Sequence, residues 1–156
     1  MVKTNAVRLL TAAGIPLETF EYEVDESDLS GTHIADTLGV DPENVFKTLV
    51  AKGDKTGPMV FCIPVELELD LKKCAQVSGN KNVEMIHVKE LLGLTGYIRG
   101  GCSPVGMKKA FPTWIDETAL LYDKFYVSAG KRGAQMYLDP RVLAEFIHAE
   151  FADVTM

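Results

Sequence analysis

Cysteine is scarce in this chain: Cys62, Cys74 and Cys102 are an odd number with no close-spaced pair, which excludes a disulfide framework and a zinc ribbon. Histidine is as sparse. His33, His87 and His148 are scattered, so no metal-ligand spacing arises and no metal or other cofactor is expected. No apolar run nears the ~18 residues of a membrane helix, and Met1-Val2-Lys3-Thr4-Asn5 opens no signal peptide, so the expectation is a cytoplasmic protein without a membrane partner. Positive charge is not in excess: 16 bases against 22 acids leave −6, which argues against binding along DNA. Repeats, low-complexity runs and Pro/Ser/Gly linkers are missing too, and 156 residues fit one domain, 1–156.

With 47% hydrophobic residues the chain can bury a real core. Ala6, Leu9, Leu10 and Ala13 recur at helical spacing and stop at Gly14, with Pro16 beyond. Phe20, Tyr22 and Val24 alternate with Glu21 and Glu23 and predict a half-buried strand. Thr32 is placed to cap a helix ending at Gly39. Val45 to Lys52 and Met59 to Val65 read as strands joined by a hairpin over Gly53 to Gly57. Asp70 opens a helix with Leu71, Cys74, Ala75 and Val77 inside, ended by Gly79. A short strand at Val83 to Val88 and a helical turn to Leu92 follow. Strands at Phe125 to Ala129 and Met136 to Leu138 flank a Gly-Lys-Arg-Gly turn, and Pro140 starts a last helix to about Glu150. The pattern predicts an α/β fold: a curved mixed sheet, barrel-like, surrounded by short helices.

Charge is unevenly spread. Residues 1–46 hold nine acids and two bases, whereas Leu91 to Ile115 and Lys124 to Leu138 hold no acid. Two such segments suit an electropositive cleft for an anionic ligand, or are chance clusters of surface lysines. Five of the 13 glycines fall between Gly93 and Gly106, as a loop whose amides can bind an oxyanion or as a bulged strand. Lys47 stands on the face of Val45, Leu49 and Ala51, either snorkelling or aimed into a cavity. Ser128 ends a strand beside Lys131 and Arg132, where it meets a ligand or caps the turn. Cys102 is weighed as a nucleophile, but no histidine is paired with it in the sequence.

Five blocks resemble the YbaK/EbsC family in order and spacing: Val45-Phe46-Lys47-Thr48-Leu49-Val50; Leu69-Asp70-Leu71-Lys72-Lys73; Val83-Glu84-Met85; Thr95-Gly96-Tyr97 with Gly100-Gly101-Cys102-Ser103-Pro104-Val105-Gly106-Met107-Lys108-Lys109; and Tyr126-Val127-Ser128-Ala129-Gly130-Lys131-Arg132-Gly133. The resemblance spans about Ile15 to Asp153. It implies a deacylase related to the editing domain of prolyl-tRNA synthetases, clearing cysteine from Cys-tRNA(Pro) or Cys-tRNA(Cys) at the tRNA acceptor end, with prolyl-tRNA synthetase as the partner. It further implies that the substrate's own thiol attacks the ester and leaves as a cyclic thioester.

By position, Lys47 matches the family's functional lysine, Gly100 and Gly101 its backbone donors, and Ser128 and Tyr22 its pocket residues. Lys108, Lys109, Lys131 and Arg132 are expected on phosphates. Gln135 stands where some members carry an aspartate for the α-ammonium, and Ala129 replaces a glycine; both departures bear on amino-acid choice. Two rivals remain open: a deacylase for another small amino acid, as in Ala-tRNA(Pro), and a noncatalytic module binding a tRNA or synthetase.

Overall fold

The computed structural model describes Met1–Met156 as five helices and eight strands. In chain order these are α1 (Asn5–Ala12), β1 (Glu18–Glu21), α2 (Gly31–Leu38), β2 (Phe46–Gly53), β3 (Gly57–Pro64), α3 (Leu71–Ser78), β4 (Val83–Met85), α4 (Val88–Thr95), β5 (Thr113–Asp116), β6 (Phe125–Ser128), β7 (Ala134–Leu138), α5 (Pro140–Ile147) and β8 (Glu150–Ala152). Local chemistry sets the helix ends. The Asp70 carboxylate accepts the Lys72 and Lys73 amides, and Gly79 closes α3 at φ 74, which a side chain would resist. Thr4 caps α1 by accepting from Val7 N–H and donates 2.6 Å to Ala129 O, tying the helix to the end of β6.

The strands form two ribbons, β1-β7-β6 and β4-β2-β3-β5-β8. A parallel bridge between Val45 and Tyr126 joins them into one curved surface. It curls but stays open, with β1, β4 and β8 as edges, so the barrel expectation holds only as curvature. One face is covered by α1 and α5 over Leu10, Phe46, Phe125, Met136 and Leu143, with Phe46 edge-on to Phe125 at 5.1 Å. Each such fully buried side chain contributes about 1.5–3 kcal/mol. The opposite face is covered at one end by α3 over Met59, Phe61 and Ile63, and beside it by α2 over Val45 and Val65.

Several expectations need correction. β1 ends at Glu21, so Tyr22 and Val24 lie beyond the strand. Ser30, not Thr32, caps α2, accepting from His33 N–H. Leu71 and Val77 are 36% and 37% exposed rather than inside. The turn after Val88 is a full helix, α4, that runs through Gly93. α5 stops at Ile147, with His148 at φ 57, because Glu150 enters β8. β5 and β8 were not expected, and both pair in parallel at the sheet's far side.

Candidate active site

The free edge of β2 creates the site. β6 meets that edge at Val45, β4 meets it at Ala51–Gly53, and Ile86 N–H bonds Val50 O at 3.3 Å, leaving Lys47 to Leu49 without a strand partner on that side. Val65 N–H bonds Val45 O across to β3, so alternation turns the Thr48 amide and carbonyl toward the open side. Continuing the Val45–Tyr126 register by two residues sets Lys47 beside Ser128 on one face. Ser128 in turn pairs with Gln135, and Gln135 with Phe20. Four strands thus bring a lysine, a serine, a glutamine and Phe20 into one row.

A cavity of about 500 Å³ opens over this row, within the range usual for small-ligand sites. Lys47, Gly100, Ser128 and Gln135 all line it, so the aimed-lysine alternative is the one realised. Two further charged residues line it as well: Arg99, the arginine of the acid-free segment from which an electropositive cleft is expected, and Glu68, the cavity's one carboxylate, which sequence reasoning passed over. Lys47 has no ion-pair or hydrogen-bond partner in the protein. Ser128 Oγ accepts from Gly130 N–H at 3.2 Å, so the serine caps its turn and keeps its own proton to donate to a ligand. Gln135 is 3% exposed and its Oε1 has no partner. A buried orphan acceptor costs about 1–3 kcal/mol, and a donor from a bound molecule removes that cost.

The glycine pair divides. The Gly100 amide bonds nothing in the protein, and its φ of +86 is one that glycine tolerates. The Gly101 amide donates to Ile98 O at 3.0 Å, and Gly101 does not line the cavity. Its expected role as an oxyanion donor is therefore corrected: its N–H is already used in a turn, and its backbone packs against Lys131 and Arg132. Cys102 follows it in the cavity wall with an unbonded amide. Burial pushes the Cys102 thiol up to about 12, so it stays protonated near neutrality and is a poor nucleophile. No histidine lines the cavity to activate it.

Tyr22 lines an adjoining crevice of about 10 Å³ that shares Leu29, Ile34 and Gly100 with the cavity and has room for little more than a water. Lys108, Lys109 and Lys131 are exposed and outside the cavity, with Lys108 Nζ 3.5 Å from Gly93 O. Arg132, also expected on a phosphate, is committed elsewhere. It donates to Glu26 at 2.7 Å and, through Nε at 2.8 Å, to Arg99 O, clamping the acidic loop after β1 to the glycine loop. Glu26→Ala should cost under about 1 kcal/mol, as surface pairs do. Arg132→Ala should cost more and slow turnover, because it also releases the glycine loop; thermal melts and single-turnover rates on the two variants check this.

The open mixed sheet thus carries a cavity with unbonded amides, an unpartnered ammonium and a thiol that burial keeps protonated. The chain belongs to the aminoacyl-tRNA editing domain family, whose sequence profile matches residues 30–146. It is 50% identical over 153 residues to EbsC of Enterococcus faecalis, named as a candidate Cys-tRNA(Pro)/Cys-tRNA(Cys) deacylase, covering 98% of this chain and 93% of that one. A crystal structure of a candidate trans-editing enzyme for prolyl-tRNA synthetase superposes with a TM-score of 0.84 at 26% identity, over 100% of this chain and 99% of the other. A second crystal structure, of a hypothetical protein, gives 0.87 at 25% identity, over 96% and 98%.

Proposed function

We propose that this chain, acting as a single domain over residues 1–156, is a trans-editing deacylase that removes cysteine from Cys-tRNA(Pro), and from Cys-tRNA(Cys) where that is presented. The observation that carries the reading is the pairing of an unpartnered Lys47 with free amides and the orphan Gln135 oxygen, in a cavity without an activated nucleophile. Such a site fits a substrate that brings its own nucleophile.

In this mechanism the cysteine sulfur attacks the ester carbonyl carbon. A C–S bond forms, the C–O bond to the terminal ribose breaks, and the thiol proton ends on the ribose oxygen. The products are a cyclic thioester and tRNA with its terminal hydroxyl restored. The Gly100 and Cys102 amides stabilise the oxyanion. Lys47 and the Ser128 hydroxyl hold the ribose end, and Gln135 Oε1 accepts from the α-ammonium, with Glu68 the carboxylate available to balance its charge. An oriented intramolecular thiol removes roughly 7–11 kcal/mol of barrier, enough to make a protein nucleophile unnecessary.

The formal charge of −6 supports weak binding of free tRNA and delivery of the substrate by prolyl-tRNA synthetase. The purified chain should deacylate Cys-tRNA(Pro), and Cys102→Ala should do so at the unmodified rate, since that variant keeps its backbone amide. A rate that falls to background in Cys102→Ala with an unchanged melting curve would establish an enzyme thiol as the nucleophile instead.

A further inference from the structure

The row that carries the site continues outward onto aromatic residues that no step above uses. Phe20 lies directly across from Gln135, and the next pair along the same face is Tyr137 with Tyr126, about 7 Å further on at two residues of strand rise. The three rings touch. Tyr126 stacks on Tyr137 with centroids 4.3 Å apart and 27° between planes, and Phe20 leans on them at 5.8 Å and 6.4 Å. Tyr126 is the anchored member, packed against the Val45 and Val65 cluster under α2. Phe20 is 37% exposed and Tyr137 is half-buried, so both present ring surface to the outside. Lys124 Nζ sits over the Tyr137 ring, 5.6 Å from its centroid, on a long exposed side chain, and Glu18 pairs with Tyr137 from β1.

We infer that Phe20, Tyr137 and Lys124 form a stacking subsite for the unpaired bases that precede the aminoacylated terminal nucleotide. The inference rests on the deacylase reading, and the occupant follows from continuity with the cavity. A substrate whose terminal ester reaches Ser128 and Gln135 must leave the cavity as a single strand, and the row sets aromatic rings next to those residues. Base-on-aromatic stacking is the sequence-tolerant chemistry that holds such strands. Lys124 meets the phosphate between the bases. Glu18 suits the exocyclic amine of a cytosine, which carboxylates accept.

The test compares Phe20→Ala and Tyr137→Ala with the ring-retaining Phe20→Tyr and Tyr137→Phe on two substrates, cysteinyl-tRNA(Pro) and cysteinyl-adenosine. The alanine variants should lose roughly 5- to 100-fold in kcat/KM on the tRNA, mainly through KM, and nothing on the adenosine ester; the ring-retaining variants should match the parent on both. Equal losses on both substrates would make the rings structural, and no loss on either would leave them without a ligand; either result overturns the subsite. Binding of the trinucleotide CCA, followed by tyrosine fluorescence, separates this from the deacylase reading. If the parent cleaves neither ester yet binds CCA more tightly than Tyr137→Ala, the subsite stands and the deacylase reading falls. Equal CCA binding by the two proteins overturns the subsite.

Discussion

Lys47→Ala should lower the single-turnover deacylation rate roughly 100-fold or more, the scale seen when one preorganised charge-stabilising group is removed. The melting temperature should move by no more than about 2 °C. The two halves of that expectation come from one observation: Lys47 lines the cavity beside Ser128 with no partner in the protein. Truncation therefore strands no buried charge and breaks no ion pair, so the fold has little to lose. A lysine snorkelling from a sheet edge would leave the rate nearly unchanged as well. Lys47→Arg should not restore the rate in full, because a planar fork cannot replace a compact ammonium in a site shaped around it.

The second large effect is expected at Gly101→Ala. A Cβ there would stand 3.0 Å from both Arg132 N and Lys131 C and 3.1 Å from Lys131 Cα, all of them backbone atoms that cannot rotate away. The glycine loop must then retreat from the Lys-Arg turn, at a cost of about 1–3 kcal/mol by analogy with overpacked cores. Gly100 and Cys102 flank the substituted residue, so their amides move with it. A displacement near 1 Å costs on the order of 100-fold in rate, so the few tenths of an ångström that these contacts demand should cost roughly 3- to 10-fold. Chemical denaturation and single-turnover kinetics on the same variant should register both losses. Wild-type stability with wild-type kinetics would mean that the loop and the turn are not packed as described.

Much of the fold is written locally. Asp70 and Gly79 bracket α3 because one offers a carboxylate to two orphan amides and the other accepts a positive φ. The hairpin from β2 to β3 follows from two apolar runs and the glycines between them. The parallel strands β5 and β8 escaped because each is short and its partners are distant in sequence, and neither carries a turn signal. Phe20 and Tyr22 illustrate a subtler limit. Their alternation with Glu21 is real, but it marks the face turned toward the site; the main core lies on the opposite face, over Met136 and Val127. Periodicity separates two faces without naming which one faces the interior.

The site was legible to the same depth. Lys47, Ser128, Gln135 and Gly100 could be picked from the sequence; strand register sets the first three in one row, and the loop after α4 brings Gly100 to the same cavity. The fate of individual donors could not be read there, because the Gly101 amide and the Arg132 guanidinium are taken up by residues remote from them in the chain or across a turn. Glu68 and Arg99 carried no signal beyond their charge. Their place in the cavity depends on how the loops after β3 and α4 return to the edge of β2.

The most direct measurement is a parallel single-turnover assay of cysteinyl-, seryl- and alanyl-tRNA(Pro) with the purified chain. Because the account assigns bond-breaking to the substrate's sulfur, cysteinyl-tRNA should be cleaved at least about 100-fold faster than either of the others, and a cyclic thioester should be trapped as the first product. Equal rates for the three esters, with free amino acid as the first product, would show that water is the nucleophile and would contradict the account at its centre.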